Sequence, residues 1–340
     1  MRSKNLCLPC AVMGGVVLML YLHFAFVRRK PIRLRSMDFK SLVLACPNAS
    51  SENVVEMQYG DGFDFLLSLH PSDQDGVVSK GIKEGLFGPM NRYPSIDEMQ
   101  AICRFNNTAS CTANKVFVEV GSALGMVSVY MASRGMKVYA YDPLLPNIER
   151  LSESRCLNRQ QMCSVTNCSD DDWRFSRDMF RVFWNAVGAA DALGKSVQIE
   201  SEPGNLAATM RGGGDVRVNV PIVTVDRTVD EEEIEIMLLT CQGQELSALL
   251  GASGFVKSRR IRNIVWRVHS SHREAALKVA DLLQSVGYRF YTLEAARSSG
   301  REPVAVSYNE ILEYVDVICS HGGHPNILAT LGLNDTNIHF

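Results

Sequence analysis

Glu119, Gly121 and Gly125 form the pattern Glu-x-Gly-x-x-x-Gly, and Asp142 ends the next apolar run. Two carboxylates beside a glycine turn suit a ligand that offers hydroxyls or positive charge, because an ionised carboxylate only accepts hydrogen bonds. Gly121 and Gly125, with Ala123 between them, allow a tight turn and a close approach of a ligand to backbone. A dinucleotide site instead carries G-x-G-x-x-G, which sets backbone amides on a pyrophosphate. That spacing is absent and no phosphate-binding lysine follows, so a nicotinamide oxidoreductase fails on glycine spacing. A ligand without phosphates fits better, and S-adenosyl-L-methionine is the common one. A structural strand-helix-strand unit with no ligand is the plain alternative.

Specific elements must hold these groups. Val116-Phe117-Val118 is a short β-branched and aromatic run broken at Gly121, as a buried parallel strand would be. Met126 to Arg134 favours a helix, and Gly135 sits where a glycine would stop it. Lys137 to Tyr141 is a second strand that delivers Asp142 at its C-terminal end. The unit is a βαβ crossover, and ligands in open α/β sheets bind beyond the carboxyl ends of the strands. Further along, Val182–Asn185, Ile234–Leu239 and Ile261–His269 read as strands. Asn147–Asn158 and Ser271–Val286 read as helices, the latter stopped at Gly287. The expected fold is α/β, a doubly wound and mostly parallel sheet.

The stretch from Val116 to Leu151 resembles the opening of the FkbM-type methyltransferase domain, a Rossmann-like class I group that uses S-adenosyl-L-methionine. The resemblance continues in order through Asn147 and Asn158, then Asn185-Ala186-Val187-Gly188, then Val223-Thr224-Val225-Asp226. It goes on through Gly243-Gln244-Glu245 and Leu249-Leu250-Gly251-Ala252 to Gly287-Tyr288, covering roughly residues 78–293. It implies that Glu119, Gly121, Ala123, Gly125 and Asp142 hold the cofactor, with Asp142 on the ribose hydroxyls. Asn185 and Ala186 would border the adenine.

The departures lie on the acceptor side. Where the family writes Lys-x-Asp-x-Glu-Gly, this chain has Leu238-Leu239-Thr240-Cys241-Gln242-Gly243. Thr240 and Gln242 take the acidic positions, and Arg267 stands where the next strand usually carries a glutamate. An arginine there should favour an anionic or hydrogen-bonding acceptor. His269 is the best remaining candidate for a general base, although no catalytic residue is assigned. His321 and His324, without a third ligand, make no metal site.

Three segments are expected: 1–35 as tail and anchor, 36–77 as a stem, and 78–340 as the methyltransferase domain. Leu8 to Val27 is uncharged and long enough to span about 30 Å of hydrocarbon as a helix. The basic residues after it favour a cytosolic domain. Sequons at Asn48, Asn106, Asn167 and Asn334, and eight cysteines beyond the anchor, favour an oxidising lumen. The expectation is a single-pass membrane glycoprotein of the Golgi or endoplasmic reticulum with its domain in the lumen. Hydrophobic residues at 46% allow a sizeable core, and a net charge of −2 gives no pull toward nucleic acid. The expected activity is O-methylation of a hydroxyl on a small molecule or a glycan. The alternative is a silent relative that binds cofactor or a partner without turnover.

Overall fold

The computed structural model describes residues 53–58, 63–75, 78–84, 94–105, 111, 113–166, 174–202, 205–209, 216–294, 302–322 and 324–331. The apolar segment Leu8–Val27, the four sequon asparagines and the turn at 211–215 lie outside these residues. Among the described residues no helix is long and apolar enough to cross a membrane.

The chain opens with a hairpin, β1 (Val54–Met57) and β2 (Phe65–Ser68), followed by α1 (Val78–Lys83) and α2 (Pro94–Phe105). The crossover unit then appears as expected: β3 (Val116–Val120), α3 (Met126–Ser133) and β4 (Lys137–Asp142). Every residue of β3 and α3 is buried, which explains the near-continuous apolar runs there. A long helix, α4 (Leu145–Thr166), leads to β5 (Phe180–Trp184). Four strands form a separate small sheet: β6 (Ala186–Val187), β7 (Ser196–Glu202), β8 (Asn205–Thr209) and β9 (Val216–Val223). Next come α5 (Val225–Thr228), β10 (Ile234–Leu239), α6 (Glu245–Gly251), α7 (Ser253–Lys257) and β11 (Ile261–Arg267). The described chain closes with α8 (Arg273–Val286), β12 (Arg289–Thr292), β13 (Val304–Val306), α9 (Tyr308–His321) and β14 (Asn326–Thr330).

The main sheet has eight strands in the order β13-β12-β14-β11-β10-β3-β4-β5. The five strands from β11 to β5 are parallel, while β14 runs against both β11 and β12. The chain winds outward from β3 to β5 and then returns to β10 on the other side of β3. That reversal puts a crevice at the carboxyl ends of β3 and β10, where a ligand site is expected in such sheets.

Residues 54–58 and 63–70, expected as stem, are packed into the domain. Met57, Phe65, Leu67 and Leu69 are fully buried in the main core with α3 and β3. Asn158 of α4 treats β2 as a neighbouring strand would: its Oδ1 accepts from the Leu66 amide at 2.8 Å and its Nδ2 donates to the Leu66 carbonyl at 2.6 Å. Ser68 donates to Glu153 at 2.5 Å, and Arg150 pairs with the same carboxylate at 2.6 Å. A fold boundary at residue 78 therefore cuts through a packed unit.

Acids in and after α5 make long-range contacts. The run Asp230–Glu233 is a largely exposed loop whose first two residues are tied to the sheet. Tyr139 and Arg181 both bond Asp230, and Lys137 meets Glu231 at 2.5 Å. Asp226, from the Thr-x-Asp pattern, caps α7 by accepting from the amides of Gly254 at 2.8 Å and Phe255 at 3.2 Å.

Candidate active site

A cleft opens at the carboxyl ends of β3, β4, β10 and β11, spanning about 1180 Å³ counted out to its mouth. Six of the seven residues expected at a cofactor site line it: Glu119, Gly121, Ala123, Asp142, Asn185 and Ala186. The sheet delivers Glu119 and Asp142 from adjacent parallel strands, and the step from β5 to β6 delivers Asn185 and Ala186. Asn185 is held by a hydrogen bond from its Nδ2 to the Pro221 carbonyl, 3.2 Å.

Gly125 is not in the lining. It starts α3 with φ 74°, and a Cβ there would lie 2.0 Å from Leu151 Cδ1, so its missing side chain serves the packing of α3 against α4. Gly121 lines the cleft, yet its absent side chain also answers to the fold. A Cβ would stand 2.6 Å from the Thr240 carbonyl oxygen. Ala123 adopts φ 48°, a left-handed conformation that an alanine rarely takes. The turn aims the Ala123 amide at Asp142 Oδ2, 2.8 Å away.

Asp142 is therefore a tightly organised acceptor. Its other oxygen takes the Leu144 amide at 2.9 Å and Asn147 Nδ2 at 3.1 Å. Asn147 Oδ1 meets His70 Nε2 at 3.1 Å, so a buried chain runs from the end of β2 to the carboxylate. Burial pushes the Asp142 carboxyl up to about 6, against the opposing pull of these hydrogen bonds. Glu119 is deeper in its electrostatic effect: burial raises it to about 8, although Ser128 donates to it at 2.5 Å. Near neutral pH Glu119 is mostly protonated and can donate as well as accept.

On the other side of Glu119 the lining changes character. Thr240 Oγ1 donates to the Gly121 carbonyl at 2.9 Å and faces the Val120 carbonyl at 3.4 Å. An aspartate in that rotamer would aim its carboxylate at two carbonyl oxygens. Gln242 lies in the lining with φ 51°, and Glu245 braces the turn by accepting from the Gly243 amide at 2.9 Å. Arg267 reaches Ser95 Oγ at 3.3 Å and Asn326 Oδ1 at 3.4 Å.

His269 does not line the cleft. β11 ends at Arg267, and the chain beyond it turns away into a cluster of three imidazoles. The His269 ring lies 4.4 Å from that of His324 and 5.0 Å from that of His272, with Ser271 Oγ 2.7 Å from His269 Nδ1. Among the described residues no group of three or more His, Cys, Asp or Glu side chains is arranged to hold a metal ion.

The family model described as the methyltransferase FkbM domain matches residues 110–290, more than half of the chain. The chain belongs to the FkbM methyltransferase family.

No curated protein matches the chain. Solved structures resemble it weakly. A precorrin-6y C5,15-methyltransferase from Geobacter metallireducens is 9% identical with a TM-score of 0.32, over 70% of this chain and 88% of that one. A methyltransferase from Thiobacillus denitrificans, solved with S-adenosylhomocysteine, is 10% identical with a TM-score of 0.29, over 68% and 91%.

The cofactor of this methyltransferase family is S-adenosyl-L-methionine, and the residues present fit it. Ser122 Oγ is buried in the cleft lining and has no hydrogen-bond partner within the protein, so it is free to bond a polar ligand atom there. Asp142 would hold ribose hydroxyls, and its ionised carboxylate suits a cationic ligand. Sequence reading overlooked Ser122 although it lies inside the glycine pattern. It also overlooked His70, because the hairpin that carries it read as stem.

A pH dependence follows from Asp142. Its carboxyl is raised in the folded protein, so the native state holds this proton more tightly than the unfolded chain between the ordinary carboxylate range and about 6. That contribution to stability is present at low pH and is lost as pH rises through the window. Ligand that needs the ionised carboxylate behaves oppositely. S-adenosylhomocysteine affinity should be level above about pH 6 and fall by up to roughly tenfold per unit below it. Calorimetry at pH 5 and pH 7.5 checks this, and equal affinity at both would remove ionised Asp142 from the binding site.

Proposed function

We propose that this methyltransferase acts on a hydroxyl of a saccharide, as a membrane-anchored protein with its domain in an oxidising lumen. The observation that carries the cofactor half of this reading is the buried, unpartnered Ser122 hydroxyl beside Asp142 in the cleft. The bound cofactor supplies a methyl group on a positive sulfonium. The chain's part is to hold and orient: Asp142 grips hydroxyls, the Gly121–Gly125 turn shapes the wall, and Glu119 keeps its proton near neutrality. Positioning two reactants provides most of what such a transfer needs, so a strong base is helpful rather than obligatory.

A second reading is favoured by one feature of the lining. Glu119 and Asp142 are its only acids among the described residues, and no histidine lines the cleft. A silent cofactor binder fits that composition. Binding of S-adenosylhomocysteine followed by turnover with radiolabelled cofactor against a glycan array separates the two. Binding with turnover supports the enzyme, binding without it supports the silent relative, and no binding removes both.

The lumenal address is supported by oxidised cysteines. Cys103 and Cys111 are joined, tying the end of α2 to the chain before β3, and Cys156 and Cys163 are each in the oxidised, disulfide-bonded form. Protein made in cells should therefore carry glycans on some of Asn48, Asn106, Asn167 and Asn334 and should run faster on a gel after amidase treatment. Unchanged mobility, with Cys103 and Cys111 alkylated as free thiols, would place the domain in the cytosol.

A further inference from the structure

Arg267 is the single cation among the described residues that line the cleft. It is half-buried and makes no direct ion pair among the described residues, although Glu119 and Glu245 feel its charge. Its two hydrogen bonds, to Ser95 and Asn326, are long and go to neutral atoms. Asn326 is itself committed, donating to Glu98 at 2.5 Å. A guanidinium carries five donors in a planar fork matched to an oxyanion, and two long bonds to neutral atoms leave most of that capacity unused. The strand that carries it, β11, lies three strand spacings from β4, which carries Asp142, or about 14 Å across the sheet. Arg267 thus addresses a different part of a ligand from Asp142.

We propose that Arg267, with Ser95 beside it, is a carboxylate-binding subsite of the cleft. The charge balance selects a carboxylate over a phosphate. A carboxylate carries one negative charge on two oxygens that match one guanidinium fork. A phosphate monoester carries nearly two charges, and the described lining offers a single cation beside the acid Asp142. Ser95 is buried and supplies a hydroxyl beside the fork. Two molecules could bring the carboxylate: an acidic acceptor such as a uronic acid, or the amino-acid end of the cofactor. The inference rests on the methyltransferase reading only for the second of these.

The test uses calorimetry on the full chain and on Arg267→Gln and Arg267→Lys. The probes are S-adenosylhomocysteine, methylthioadenosine (which lacks the amino-acid end), trigalacturonate and neutral galactotriose, the sugars with and without S-adenosylhomocysteine present. Arg267→Gln should lose about 10- to 100-fold in affinity for one carboxylate-bearing probe and nothing for its neutral counterpart. Arg267→Lys should recover part of the loss, because it keeps the charge without the fork. Loss for S-adenosylhomocysteine alone assigns the subsite to the cofactor, and loss for trigalacturonate alone assigns it to the acceptor. Unchanged binding of both acids, or equal loss for acid and neutral probes, overturns the proposal. If the unaltered protein binds neither nucleoside, the methyltransferase reading fails, and Arg267-dependent trigalacturonate binding still decides the subsite.

Discussion

Asp142→Ala should weaken S-adenosylhomocysteine binding by about ten- to a hundredfold, the equivalent of roughly 1.5–3 kcal/mol for a lost charge-assisted hydrogen bond. The same change should also destabilise the protein without ligand. The amides of Ala123 and Leu144 and the Asn147 side chain all donate to this carboxylate, and the site is buried. Each amide left unpaired costs about 1–3 kcal/mol. Binding must therefore be compared well below the melting temperature of each variant. Asp142→Asn separates the two roles, since it keeps one acceptor oxygen and a similar shape while removing the charge. It should recover stability more than affinity. If Asp142→Ala melts lower but binds S-adenosylhomocysteine as tightly as the unaltered protein, Asp142 is a structural brace and no ligand group.

Gly121→Ala should cost about 2–5 kcal/mol of stability, adding the left-handed penalty of an alanine to the strain of overpacking. Gly121 has φ 85°, and its new Cβ would press on the Thr240 carbonyl oxygen at 2.6 Å and carbon at 2.9 Å. Neither backbone can yield cheaply. Val120 and Leu239 are in register across β3 and β10, and the Thr240 amide donates to the Val120 carbonyl at 2.9 Å. The melting temperature should drop by roughly 10 °C. The competing idea is that the glycine exists to let the cofactor approach. A variant with undiminished melting temperature and lost S-adenosylhomocysteine binding would establish that idea and refute the steric one.

The glycine pattern shows how far the sequence carried and where it stopped. Local chemistry was legible: β-branched runs bounded by glycines named β3, α3 and β4, and acids at strand ends named Glu119 and Asp142. The matched family follows from the same ordered motifs. The reasons for individual residues were less legible. Gly121 and Gly125 are glycines because Thr240 and Leu151, distant in sequence, come against them. Thr240, conspicuous as a missing acid, is occupied by the Gly121 carbonyl.

The sequence by itself determined the α/β class, the crossover unit and the cleft's two acids, because each depends on periodicity and turn chemistry within a few residues. Only the tertiary structure decided three things. It packed Met57, Phe65, Leu67 and Leu69 into the core and linked His70 through Asn147 to Asp142. It drew His269 out of the cleft into a cluster with His272 and His324, because β11 ends two residues too early to hold it there. It left Arg267 facing the cleft with no direct ion pair among the described residues. Each outcome is set by contacts between segments far apart in the chain, where no local pattern records which side chain will meet which.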